Sequence, residues 1–114
     1  EVASTDTFAL ILKRNPTGVI EFEQSIPNRF YLSQNYPNPF NPATVITFGV
    51  PKESYISLKV YDVLGSEVAT LLAERMEAGK YNYLWNADKF PNGVYFYRME
   101  SEGFLQTRKL LLLK

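Results

Sequence analysis

Apolar and aromatic residues recur at every second position in one short run after another. Ile46, Phe48 and Val50 alternate with other residues, as do Ile56, Leu58 and Val60, and Tyr81, Tyr83 and Trp85. A period of two places each trio on one face of a pleated strand, whereas a helix repeats about every 3.6 residues. Turn signals separate the runs. Asp62-Val63-Leu64-Gly65 carries Asp first and Gly fourth, the preference of a type I turn. Pro91-Asn92-Gly93 presets one dihedral and permits a positive one, and Glu102-Gly103 makes another tight link. The spacing predicts strands at 44–50, 55–61, 66–72, 79–86, 93–100 and 104–113.

The segment 66–77 has two readings. Helix formers fill it, and Val68, Leu71, Leu72 and Met76 make a helical stripe. A helix isolated among strands is the poorer fit, so a strand followed by a loop is expected. On 93–99, apolar residues point to both faces, as they do in a strand buried on both sides, for instance beneath another hairpin. One aromatic face left open for carbohydrate or protein gives the same pattern. The fold expected is all-β, an antiparallel β-sandwich of about seven strands.

Upstream, Phe8 to Leu12 is apolar, Asn15-Pro16-Thr17-Gly18 turns, and Val19, Ile20 and Phe22 follow. This predicts an extra N-terminal hairpin over 1–24, which needs something to pack on because a lone hairpin is marginal in water. Residues 25–35 read as a linker and 36–114 as the sandwich. The chain begins at Glu1 without Met, so a processed protein or the end of a longer one is expected.

Composition excludes much chemistry. The 114 residues contain no His and no Cys, which removes imidazole catalysis, thiol catalysis, zinc ribbons and disulfides. Twelve basic and twelve acidic residues cancel, which argues against a nucleic-acid partner. Glu53, Asp62, Glu67, Asp88, Glu100 and Glu102 are scattered in turns and near strand ends, and no facing carboxylate pair of the glycosidase kind is evident. No phosphate-binding glycine loop or nucleophile elbow is present. Asn86, Asp88 and Asn92 offer oxygens to calcium, but no dense acidic loop surrounds them. No enzyme activity, metal or cofactor is expected.

The most specific local motif is Asn35-Tyr36-Pro37-Asn38-Pro39-Phe40-Asn41-Pro42. Its prolines bias the preceding residues toward extended geometry, and its Asn side chains can close turns on neighbouring amides. It reads as a rigid loop whose Tyr36 and Phe40 plug one end of the sandwich; a proline-motif docking site would need those rings exposed. Charge is also uneven. Phe104 to Lys114 carries Arg108, Lys109 and Lys114 and no acid, while four acids face one Arg in Asp62 to Glu77.

From about Phe30 to Lys114 the sequence resembles the C-terminal sorting domain of type IX secretion cargo from Bacteroidetes-like bacteria. The motifs that carry the likeness come in order. Leu32 precedes the Asn35–Pro42 cluster; Ile46 and Phe48, Val60-Tyr61-Asp62 and Leu64-Gly65 follow. Then come Gly79, Trp85, Gly93-Val94-Tyr95-Phe96-Tyr97-Arg98 and Lys109-Leu110-Leu111-Leu112-Leu113-Lys114. The resemblance implies an immunoglobulin-like fold and a non-catalytic role at the end of a secreted cargo, at the cell surface or beyond.

It also implies recognition by an outer-membrane translocon and a surface sortase, with any cleavage in the linker near Ser25 to Asn35. Lys109, Leu110, Leu111, Leu112, Leu113 and Lys114 would be the recognised strand, with Gly93, Val94, Tyr95 and Tyr97 beside it. A terminal strand can be offered by edge pairing. Tyr36, Pro37, Asn38, Pro39, Phe40, Asn41, Pro42, Gly65 and Trp85 would serve the framework. The alternative is a module of an extracellular assembly that pairs with neighbouring copies, by self-association through residues 1–24.

Overall fold

The computed structural model describes residues 26–114 and, upstream of them, the backbone pairing of 10–14 with 20–24. Strands β1 (Leu10–Arg14) and β2 (Ile20–Gln24) form an antiparallel pair, with Leu12 opposite Phe22. The hairpin turn at 15–18, the flanking Phe8 and Val19, and any surface for self-association through 1–24 lie outside the described residues.

The rest is a two-sheet antiparallel sandwich of seven strands, as the alternation predicts. They are β3 (Tyr31–Leu32), β4 (Ala43–Val50), β5 (Ser54–Tyr61), β6 (Glu67–Met76), β7 (Gly79–Asn86), β8 (Gly93–Ser101) and β9 (Phe104–Leu112). One sheet has the order β3-β4-β7 and the other β6-β5-β8-β9. Lettered A to G in chain order, these are A-B-E against D-C-F-G. An immunoglobulin constant domain has the same arrangement except that its fourth strand joins the other sheet.

Alternation delivers the core. Ile46, Phe48 and Val50 from β4 and Trp85 from β7 face Ile56, Leu58 and Val60 from β5, Tyr95, Tyr97 and Met99 from β8, and Leu110 and Leu112 from β9. Trp85 lies against Phe40, Phe90 and Tyr95, with ring centroids 5.7, 5.4 and 6.4 Å away. The Tyr95 hydroxyl donates to the Pro91 carbonyl at 2.6 Å. A tyrosine on the sixth strand reaching back a few residues is the tyrosine corner of immunoglobulin-like sandwiches.

The turns behave as their residues dictate. Gly65 N–H donates to the Asp62 carbonyl at 3.0 Å, and Asp62 Oδ1 accepts from Leu64 and Ser66 amides at 2.9 Å each. Gly65 sits at φ 86°, where an L side chain is disfavoured.

Two readings need correction. Strand β6 continues to Met76, so no loop begins after 72. Its pairing with β5 shifts register twice, near Leu58 and near Val60. Each shift changes which residues face inward, and the resulting inward set of Val68, Ala69, Leu71, Leu72 and Met76 mimics helical spacing. Second, the sandwich takes in part of the expected linker. Tyr31 and Leu32 pair with Gly49 and Phe48, and Leu32 is fully buried.

Candidate functional site

The strand marked out by sequence, Lys109 to Lys114, closes one side of the four-stranded sheet. Its neighbour β8 pairs with it from Gly93–Leu112 to Ser101–Phe104. Because side chains alternate, the ten expected recognition residues split into two sets. Leu110, Leu112, Tyr95 and Tyr97 are core. Lys109, Leu113 and Lys114 are exposed, and Leu111, Gly93 and Val94 are half-buried. Lys109, Leu111, Leu113, Lys114 and Val94 are thus the side chains that reach solvent, and the buried four hold that strand in place.

Tyr97 shows how firmly. Its hydroxyl donates to the Ser33 carbonyl at 2.7 Å, and burial pushes its pKa up to about 12 despite the Asn35 amide and Arg108, which lower it. Arg108 Nε donates to the Leu32 carbonyl at 2.6 Å, tying β9 to the strand that opens the other sheet.

The proline segment crosses between the two sheets beside this strand. Tyr36 exchanges two backbone bonds with Val45 of β4, at 3.0 and 2.9 Å. Four residues later Phe40 lies alongside β9 in a parallel bridge: its N–H donates to the Leu111 carbonyl and its carbonyl accepts from Leu113 N–H, both at 3.0 Å. Leu111 N–H donates to Asn38 Oδ1 at 3.0 Å, and Gln34 Nε2 donates to the Lys109 carbonyl at 2.7 Å. The X–Pro bonds at 37, 39 and 42 are cis. Inside the crossing, Asn35 is buried and donates from Nδ2 to the Pro37 carbonyl at 3.1 Å and to Thr44 Oγ1 at 3.0 Å.

The plug expectation holds for one ring and fails for the other. Phe40 is 2% exposed, whereas Tyr36 is 80% exposed. A period of two would put both rings on one face; they part because the segment leaves one sheet for the other between them. Tyr36 pairs with Val45 on the outer face of β4, while Phe40 turns inward onto Trp85. Outside the sheet, Tyr36, Val45 and Leu84 stand side by side.

The outer face of β5, β8 and β9 is mixed. Tyr61 pairs with Phe96, Phe96 with Lys109, and Val94 with Leu111. Arg98 stacks on Tyr61 with its guanidinium carbon 4.5 Å from the ring centre and donates to the Tyr61 hydroxyl. An open recess of about 250 Å³ lies here, lined by Tyr61, Asp62, Phe96, Arg98 and Thr107 among others. Two of the side-chain oxygens on offer to calcium are committed to backbone amides. Asn86 Oδ1 accepts from Asp88 N–H at 2.9 Å, and Asn92 Oδ1 accepts from Lys114 N–H at 2.8 Å.

Sequence reasoning misses Gln34, Asn38 and Asn92 as partners of the terminal strand. Their polar side chains beside turns are visible, but nothing local says which distant backbone they reach.

The family profile described as the secretion system C-terminal sorting domain matches residues 34–113. The chain belongs to that family. Comparison with curated proteins and with solved structures yields no match. The matched span of the sorting domain begins at Gln34, the first residue to cap β9, and runs through Leu113. The family assignment makes this domain a C-terminal sorting signal for type IX secretion, with export to the cell surface or the extracellular space. Sorting domains of this family are non-catalytic in general. They act with the secretion machinery on a cargo attached upstream.

Proposed function

We propose that this sorting domain directs its cargo through the type IX outer-membrane translocon and to its sortase by presenting the end of β9 on a rigid support. The observation that carries this is the split of the strand. Lys109, Leu113 and Lys114 face solvent, with no acid between Phe104 and Lys114, while Leu110 and Leu112 are fully buried. A signal held on a core-locked strand presents its exposed side chains in a fixed geometry, which lowers the ordering cost of recognition.

If a sortase separates the cargo, the cut belongs upstream of β3. Leu32 and Asn35 are 1% and 2% exposed, so a protease cannot bind the backbone there without opening the sandwich, whereas Ile26, Asn28 and Arg29 are exposed.

The test is a fluorescent reporter fused ahead of residues 1–114 in a bacterium carrying the secretion system. The expected result is reporter at the surface or in the medium, and reporter retained in the periplasm of a strain lacking the translocon. Equal distribution in both strains would sink the reading. Mass spectrometry of the exported reporter should place its new C-terminus before Tyr31.

A further inference from the structure

An edge strand turns the N–H and C=O groups of alternate residues away from its sheet, and these form a template for any strand that approaches. On β9 the parallel bridge of Phe40 to Leu112 directs the outward groups of Leu111 and Leu113 away from β8, and alternation adds those of Lys109. Four of them are already bonded: the Lys109 carbonyl to Gln34, Leu111 N–H to Asn38, and the Leu111 carbonyl and Leu113 N–H to Phe40. The segment that holds them is anchored at both ends, by buried Asn35 and buried Phe40. Peeling it away would draw the Phe40 ring out of the core.

We infer that Gln34–Phe40 is a fixed cap that closes the Lys109–Leu113 end of the terminal strand to strand pairing. The secretion machinery then reads the folded domain through side chains on the outer face of β8 and β9. This rests on the sorting function proposed above and specifies its mode of recognition.

The chemistry of that face defines the reader. Leu111 beside Val94 and the half-exposed Leu113 form an apolar strip, and Phe96 adjoins it beside Lys109. Arg98 and Lys109 stand around it. Of the acids on this face, Asp62 lines the recess and accepts from the Leu64 and Ser66 amides, Glu67 is paired with Lys59 at 3.5 Å, and Glu100 lies toward the far end of β8. The complementary surface on the machinery is an apolar patch rimmed by carboxylates.

Two double variants of the full reporter fusion separate face from edge. Lys109→Glu with Leu113→Asp changes exposed face residues and leaves the cap intact. Gln34→Ala with Asn38→Ala removes two exposed cap side chains and leaves the face intact. With both variants still melting cooperatively above the growth temperature, the face variant should export less than about a tenth of the unmodified fusion, as loss of central contacts does. The cap variant should export normally while its Leu111 amide exchanges about tenfold faster, the signature of a locally opened bond.

Normal export of the face variant together with enhanced export of the cap variant would overturn the inference in favour of strand addition. So would rapid exchange of the Leu111 and Leu113 amides in the unmodified domain. In either case translocon-dependent export of the unmodified fusion leaves the sorting function standing. Loss of that dependence would instead remove the function and this inference with it.

Discussion

The four-stranded sheet ends in two edges that are protected in different ways. At β9 a second stretch of chain lies against the edge and occupies four of its backbone groups between Lys109 and Leu113. At β6, among the described residues, no such segment is bonded along the outer side. Instead the strand shifts register twice and carries Glu67, Glu74 and Arg75, with Arg75 Nε 3.4 Å from Glu53. Bulges and charges deter pairing by spoiling the geometry and by resisting desolvation. A cap does more, because it also fixes the strand beneath it. The better-fixed edge is the one that carries the expected signal.

If the cap is part of the core and β6 is a tolerant margin, substitutions should rank accordingly. Phe40→Ala should show the largest effect, a loss of about 3–5 kcal/mol in a urea titration, because the ring is buried against Trp85 and its removal leaves a cavity. A loss below about 1 kcal/mol would mean that the cap is peripheral and the comparison false.

Tyr97 gives the next effect through pH. Its folded pKa of about 12 exceeds the ordinary 10.0, so the native state keeps a proton that the unfolded chain has released. The stabilisation is complete below about pH 10 and is lost as pH climbs through 12, amounting to about 2–3 kcal/mol. Tyr97→Phe should remove that share of the alkaline decline, read as the difference between the two proteins across pH 9 to about 12.5. Parallel curves would show that the hydroxyl under Ser33 is not held as described.

Asn38→Ala should cost less, about 0.5–1.5 kcal/mol, since one exposed hydrogen bond to Leu111 is lost while both Phe40 backbone bonds remain. Arg75→Ala on the β6 side should stay within about 0.5 kcal/mol, because its partner Glu53 is solvent-exposed. A larger effect for Arg75 than for Asn38 would reverse the ranking of the two edges.

Most strands of the sandwich are legible in the sequence alone. Those expected at 44–50, 55–61, 79–86 and 93–100 stand within a residue of β4, β5, β7 and β8, because strands facing a single core repeat their inward residues without interruption. At β6 the two register shifts break that phase, so the local pattern matches a helix as well as a strand. At β3 two residues are too few for any period to show, although Leu32 is as buried as the core. Family motifs mark the terminal strand but do not divide it into supporting and exposed residues. Pairing with β8 makes that division.

The all-β class, the inward faces and the turn at Asp62–Gly65 follow from neighbours along the chain, because alternation and turn chemistry act over a few residues. The capping of β9 does not. Gln34 and Asn38 reach Lys109 and Leu111 across separations of 75 and 73 residues. An exposed amide looks the same in sequence whether it faces water or another strand's carbonyl. Only packing the crossing segment over Trp85, with Phe40 buried, brings those donors and acceptors together and closes one edge of the sheet while leaving the other open.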